Sequence, residues 1–256
     1  MVNGYRECSL KEAQDIMIEI LDKVDLICKK NEINYCLGDG TLLGAVRHSG
    51  FIPWDDDIDI WMDRNSYKKF LEIASDELGE NYFVQTIQSD SEYNLYHIPC
   101  KIRRKDTICI EKGEEKSKYN RGMYIDVFPF DVIPRKGSIL YFKFRLNKIS
   151  VKILRKFKNK KVFAFVVDFI ISKIAKYNYD FKIKGDSYVT YGNDTMWYKE
   201  IRADMIYPLK KIKFNGKEYN SPNKPERVLN LLYGNYNELP DENERTKHSI
   251  YLGIKE

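Results

Sequence analysis

The stretch GFIPWDDDIDIWMD, Gly50 to Asp63, limits what this chain can fold into more than any other. It sets Asp55, Asp56, Asp57, Asp59 and Asp63 among tryptophans and isoleucines. Two like charges about 4 Å apart repel by roughly 4 kcal/mol at an effective dielectric of about 20. Either the aspartates face water or something positive sits among them. From Asp57 onward acid and apolar residues alternate, which is the period of a strand over 57–62. Asp57 and Asp59 then share one face, and Ile58 and Ile60 bury the other. Their Cα atoms lie about 6.6 Å apart, a spacing at which two carboxylates converge on a divalent cation or a pair of them. Asp55 has the same parity but follows Pro53 and Trp54, in a predicted loop over 50–54. A solvated acidic turn is the bland alternative for the run.

The neighbouring segments place this strand in an α/β (α+β) core. SLKE at Ser9–Glu12 is a capping box. It opens a helix to about Asn31, with Ala13, Met17, Ile20, Val24 and Ile27 on one face. A strand is predicted over 33–37, a turn at Gly38–Gly40, and a short helix capped by Thr41 and running to Arg47. After the acidic strand come a helix over 66–78 and strands over 82–85, 97–103, 107–110 and 124–128. The last, YIDVF, puts Asp126 inside an apolar run, where an acid is costly unless partnered. Asn215–Gly216 predicts a hairpin turn, and Pro225 opens a helix that stops at Tyr233–Gly234.

Composition removes several classes of function. The five cysteines are scattered with no Cys-x-x-Cys, so a reduced, cytoplasmic protein without a cysteine zinc site is expected. No signal-peptide pattern and no run of about 18 apolar residues is seen. The net charge of +5 is uneven. Arg135–Lys182 holds 14 Lys or Arg against Asp168 and Asp180, leaving the remainder at −7. Nucleic acid is therefore not the expected partner. The basic segment, which mixes apolar and cationic residues at helical spacing, is expected either to lie on an anionic membrane or to pack as a lid on the acidic core. The predicted divisions are a nucleotidyltransferase-like catalytic core over 1–134, this basic helical segment over 135–182, and a helical C-terminal part over 183–256 that completes the core.

A glycine turn, a short helix, an Asp-x-Asp strand and a later third acid resemble the nucleotidyltransferase fold. The longer stretch GTLLGAVRHSGFIPWDDDID, Gly40–Asp59, resembles the signature of the LicD family of phosphocholine transferases and fukutin-like transferases. KIRRKDT, YIDVFPFD and LLYGNYNELP follow in order, with His248 downstream. The resemblance covers about 10–135 and 205–248. It implies that Asp57, Asp59 and Asp126 are catalytic and hold Mg2+, or Mn2+ in its place. It also implies transfer of phosphocholine or a related phospho-alcohol from a CDP-linked donor to a hydroxyl of a surface glycan, of the kind built on a lipid at the inner membrane face.

Further residues are expected to serve the donor, each beside a plainer reading. Gly40 and Thr41 let a phosphate approach the backbone. Arg47 and His48 contact donor phosphates, or merely complement the end of their helix. Lys101 and Arg103 neutralise the pyrophosphate, or are exposed strand charges. Trp54 offers an aromatic face to a trimethylammonium group, or belongs to the core. Two other functions would use the same acids: a nucleotidyltransferase that consumes NTP and releases pyrophosphate, and a non-catalytic scaffold for glycan synthesis.

Overall fold

The computed structural model describes residues 2–93, 98–155, 183, 186–192, 195 and 197–256. The capping box forms: the Ser9 hydroxyl accepts from the Glu12 amide, and Glu12 accepts from the Ser9 amide at 2.8 Å. Helix α1 (Leu10–Lys30) then buries the predicted stripe of Ala13, Met17, Ile20, Val24 and Ile27.

The core is a mixed sheet. Its central strands are β2 (Tyr35–Leu37), β3 (Asp59–Asp63), β7 (Tyr124–Val132), β5 (Lys101–Arg104) and β4 (Tyr82–Gln85), in that order. β3 and β7 are parallel and the other neighbours antiparallel. The far half of β7 pairs with β8 (Tyr188–Tyr191), which pairs with β9 (Ile201–Arg202). Helix α3 (Arg64–Leu78), capped by the Asp63 side chain, packs on the sheet with α1. From its start Arg64 reaches Asp131 of β7. The period of two therefore assigns Val127 and Asp131 to the helix-covered face, and Asp126, Phe128 and Phe130 to the other.

Two smaller sheets complete the described architecture. β1 (Tyr5–Glu7), β12 (Ser249–Lys255) and β6 (Thr107–Glu111) form one, so the C-terminal strand joins the core. The hairpin β10 (Lys210–Phe214) and β11 (Lys217–Ser221) turns at Asn215–Gly216 as expected, with φ of 51° and 81°. The helix expected from Pro225 is present at Pro225–Tyr233, after a short helix at Ala203–Ile206.

Several expectations change. The C-terminal part carries more strand than helix among its described residues. Its strands β8 to β12 alternate too briefly to outweigh the helical and basic signals in the sequence. β3 starts at Asp59 rather than Asp57, because 55–58 stay irregular after the turn that the Asp55 amide closes on Ile52 O at 2.9 Å. Helix α2 runs Asp39–His48 with Gly38 at its N-cap, three residues earlier than expected. Thr41 is thus inside it and not its cap. In the basic segment, helix α4 (Ile139–Arg155) is described. Its Ile139, Phe142, Leu146 and Ile149 are exposed at steps of three and four. Residues 156–182, the rest of that segment, and His97 lie outside the described residues. No helix among the described residues is long and apolar enough to cross a membrane.

Candidate active site

The parallel pairing of β3 with β7 sets Asp59 opposite Asp126, and β5 sets Lys101 opposite Asp126 on the other side. Three in-register residues therefore form one row across three strands about 4.8 Å apart. The Asp126 amide donates to Ile58 O at 2.7 Å, which carries the pairing to the residue between Asp57 and Asp59. The Asp59 amide donates to the Thr41 hydroxyl at 2.8 Å, which ties the start of β3 to α2. Two glycines permit that approach. A Cβ on Gly38 would meet the Trp61 indole at 2.2 Å, and one on Gly40 would stand 3.1 Å from Asp55 Oδ2.

The two acids of the row open on a cleft of about 1530 Å3. Gly40, Arg47, Trp54, Asp57, Asp59 and Asp126, all expected at the site, line it. Thr41, His48, Lys101 and Arg103 do not. Thr41 acts from behind, on the Asp59 amide. His48 accepts from Arg47 Nε at 3.0 Å. Burial and the adjacent Arg47 both lower its pKa. Arg47 donates at 2.9 Å to the carbonyl of Tyr236, tying α2 to the far wall.

Lys101 and Arg103 are neither surface charges nor cleft-facing cations, for both are fully buried. Lys101 Nζ lies 3.0 Å from Asp126 Oδ1 and 3.3 Å from Glu111, over the ring of Tyr124. Arg103 donates to Gln85, to Gly122 O at 2.7 Å and to Glu111 at 3.3 Å. Their counter-charges are internal, so the expected contact with a donor pyrophosphate is corrected. Burial pushes Glu111 up, but Lys101 and Arg103 outweigh it and hold that carboxyl at about 2.

The cleft acids behave in the opposite way. Burial raises Asp126 to about 7, with Lys101 offsetting only part of the effect. Its Oδ1 is buried and receives no hydrogen bond, despite the nearby ammonium. Burial and then mutual repulsion raise Asp55 and Asp59 well above the usual carboxylate range. Burial also raises Asp57, although His248 Nε2 stands 3.5 Å from its Oδ2. Asp39 rises to about 6 through burial, with Tyr191 and Trp61 bonds opposing it. Trp61 Nε1 donates to its Oδ2 at 2.8 Å, and the Tyr191 hydroxyl donates to Oδ1. Those bonds hold Asp39 at φ +40°, a conformation seldom adopted by a residue other than glycine.

A hard divalent cation suits such a group of oxygens. The donor set fits: carboxylates crowded beyond their counter-charge, one with an unanswered oxygen. Among the described residues, the atoms that approach within 4.8 Å of one another belong to Asp55, Asp56 and His248, not to the predicted triad. Asp56 in that group is already committed. Its carboxylate accepts the amides of His248 at 2.9 Å and Ser249 at 2.6 Å, and the Ser249 hydroxyl. This clamp fixes His248 above Asp57. Asp57, Asp59 and Asp126 line the cleft, together with Asp39, Asp55 and Glu111.

Sequence reasoning did not assign Asp39, Glu111 and Tyr191. Glu111 was accessible in principle, since TICIE puts Thr107, Cys109 and Glu111 on one face. Nothing local marks Tyr191, which long-range pairing brings in.

Residues 32–165, a little over half of the chain, match the family model described as LicD/FKTN/FKRP, nucleotidyltransferase domain. The chain belongs to the LicD family. It is similar to the lipopolysaccharide cholinephosphotransferase LicD of Haemophilus influenzae, at 29% identity over 96% of this chain and 97% of that one. It is also similar to an uncharacterized protein of Rickettsia prowazekii, at 34% identity over 50% of this chain and 45% of that one. The LicD match spans β2 to α4, which includes Asp57, Asp59 and Asp126.

Proposed function

We propose that the chain is a phosphotransferase that moves phosphocholine, or a related phospho-alcohol, from a CDP-linked donor to a hydroxyl of a lipopolysaccharide or similar surface glycan. The observation that carries this reading is the pair Asp59–Asp126, facing a cleft and backed by the buried Lys101, in a chain that aligns over 96% of its length with a cholinephosphotransferase. Asp57, Asp59 and Asp126 would hold Mg2+, or Mn2+. Bound there, the cation supplies charge neutralisation for donor phosphates and for the departing CMP.

The chain's own residues do the rest. The acceptor oxygen attacks the phosphorus that bears the alcohol, the bond between the two phosphates breaks, and CMP leaves with that electron pair. Catalysis of this kind is mostly positioning and electrostatics. Lys101, itself held by Glu111, fixes the Asp126 carboxylate in place. The exposed apolar stripe of α4, with Lys143, Arg145 and Lys152 on the same helix and no acid in it, supports peripheral contact with an anionic membrane. Co-sedimentation with phosphatidylglycerol vesicles but not with phosphatidylcholine vesicles is expected, and equal binding to both or to neither removes that contact.

The family model's description as a nucleotidyltransferase domain favours a second reading, transfer of a nucleotidyl group from NTP. Incubation with Mg2+, CDP-choline and a lipopolysaccharide acceptor separates the two by phosphorus NMR. CMP and a phosphocholine-bearing glycan are expected. Pyrophosphate released from CTP, with no CMP from CDP-choline, would reject the proposed reaction.

A further inference from the structure

Lys112 and Lys247 line the cleft as exposed side chains, whereas the more buried cations near the acids are mostly committed inside the protein. Lys101 and Arg103 pair with Asp126 and Glu111, and Arg64 with Asp131. Arg47 is spent on backbone carbonyls. Arg245 differs. Its guanidinium carbon stands 4.4 Å from the centroid of Trp54, and both residues line the cleft. The carboxylate contact it has is Glu242, at 3.4 Å, on a side chain that is 84% exposed. A pair of that kind is worth little. Its Nε is shielded from water and has no hydrogen-bond partner among the described residues.

We propose that Arg245, carried on the face of Trp54, binds a phosphate oxyanion of the ligand in this cleft. With the reaction above, that phosphate belongs to the CDP-linked donor, so this identification rests on the proposed function. A guanidinium can do both things at once, because its flat face stacks while its edge presents N–H donors that match two phosphate oxygens. Here the face is taken by the indole, and an edge donor lacks an acceptor. The placement is also right. Trp54 precedes Asp55 in the chain, and His248, three residues beyond Arg245, reaches Asp57. The pair therefore borders the acids that would hold the metal, and it supplies the positive charge that Lys101 and Arg103, being buried, do not.

Calorimetry on the wild-type chain and on Arg245→Ala, Arg245→Lys and Trp54→Leu tests this, with CDP-choline, CDP, inorganic pyrophosphate and choline as probes in Mg2+. Arg245→Ala is expected to weaken CDP-choline, CDP and pyrophosphate alike, by roughly tenfold to a hundredfold, and to leave the melting temperature unchanged. Arg245→Lys should recover part of the loss, and Trp54→Leu should show a smaller one. A structural role alone would not follow the phosphates of the probe. Tighter CDP-choline binding in Arg245→Ala would overturn the proposal, for Arg245 would then be a plug on an ammonium site. Binding of all three phosphates within twofold of wild type overturns it too, and leaves the proposed reaction standing. If wild type binds pyrophosphate but neither cytidine compound, and Arg245→Ala loses it, the donor reading fails and the phosphate site stands. No binding of any phosphate by wild type overturns the proposal.

Discussion

Asp126 and Asp131 sit five residues apart on β7, on opposite faces, each 3% exposed. Asp131 is fully answered: Arg64 gives it two parallel bonds, at 2.9 and 2.7 Å. Asp126 is answered in part. Its cation is shared with Glu111, and one of its oxygens has no hydrogen bond. The same residue type, strand and depth thus give one acid that holds the fold and one that is held for a ligand. What separates them is how completely the surroundings meet the charge. Removing Arg64 should reveal the first role most strongly. Arg64→Met takes the two-bond guanidinium partner from buried Asp131, and breaking a buried pair in this way costs about 3–5 kcal/mol. Chemical denaturation measures it, and a loss under 1 kcal/mol would erase the distinction.

Asp126→Asn should do the reverse. Folding should survive, because the substitution relieves repulsion from Asp57 and burial of a charge. Turnover should fall by about a hundredfold or more, since several kcal/mol of charge stabilisation depend on the carboxylate. Asp59→Asn should behave alike. Normal turnover in either variant, assayed as CMP release, would remove these acids from the site.

The legibility of the molecule divides along the same line. Alternation in DIDIWM and YIDVF marked both acids and their faces, because a period of two is a local signal. The apolar stripe of α1 and the Asn215–Gly216 turn were equally local, and both formed as read. The burial of Lys101 and Arg103 was not legible. KIRRKDT carries no sign that another strand and Glu111 will enclose it, so two internal counter-ions read as ligand contacts. β12 was missed for a similar reason: its partners, β1 and β6, lie over a hundred residues away in the chain. Asp56 shows the limit best. Within DDD it is indistinguishable from its neighbours, yet it alone turns to clamp the amides of His248 and Ser249.

Titration in chelator sharpens the contrast between answered and unanswered acids. Asp39 at about 6 and Asp126 at about 7 lie above their unfolded value near 4, so folding favours their protonated forms. Stability should therefore fall as pH rises from about 4 to 7, and should be regained on acidification. Glu111 at about 2 lies below its unfolded value, so its contribution is present above about pH 4.3 and is lost as pH falls toward 2. The metal-free chain should then melt highest near pH 4–5, with about 2–4 °C for each kcal/mol of linkage. Saturating Mg2+ should flatten the upper limb, because a cation restores the value of the ionised carboxylates. A melting temperature that climbs steadily from pH 5 to 8 in chelator would break the assignment of uncompensated acids.

The smallest expected effect asks whether burial or distance sets the worth of an ion pair here. Lys11 and Asp15 on α1 stand 2.6 Å apart, no farther than the 2.7 Å of Arg64 and Asp131. Their side chains are 66% and 56% exposed, against 9% and 3% for the buried pair. If distance ruled, the two pairs would matter equally. Water screens the first and already solvates each of its partners, so an exposed pair one helical turn apart contributes only about 0.3–0.5 kcal/mol. Lys11→Ala also brings in a good helix former, which offsets part of even that. The change in unfolding free energy should stay within about 0.5 kcal/mol and shrink further in 1 M salt, where charges are screened within about 3 Å. A loss near that of Arg64→Met would mean that contact distance decides, and the contrast between Asp126 and Asp131 would need another cause.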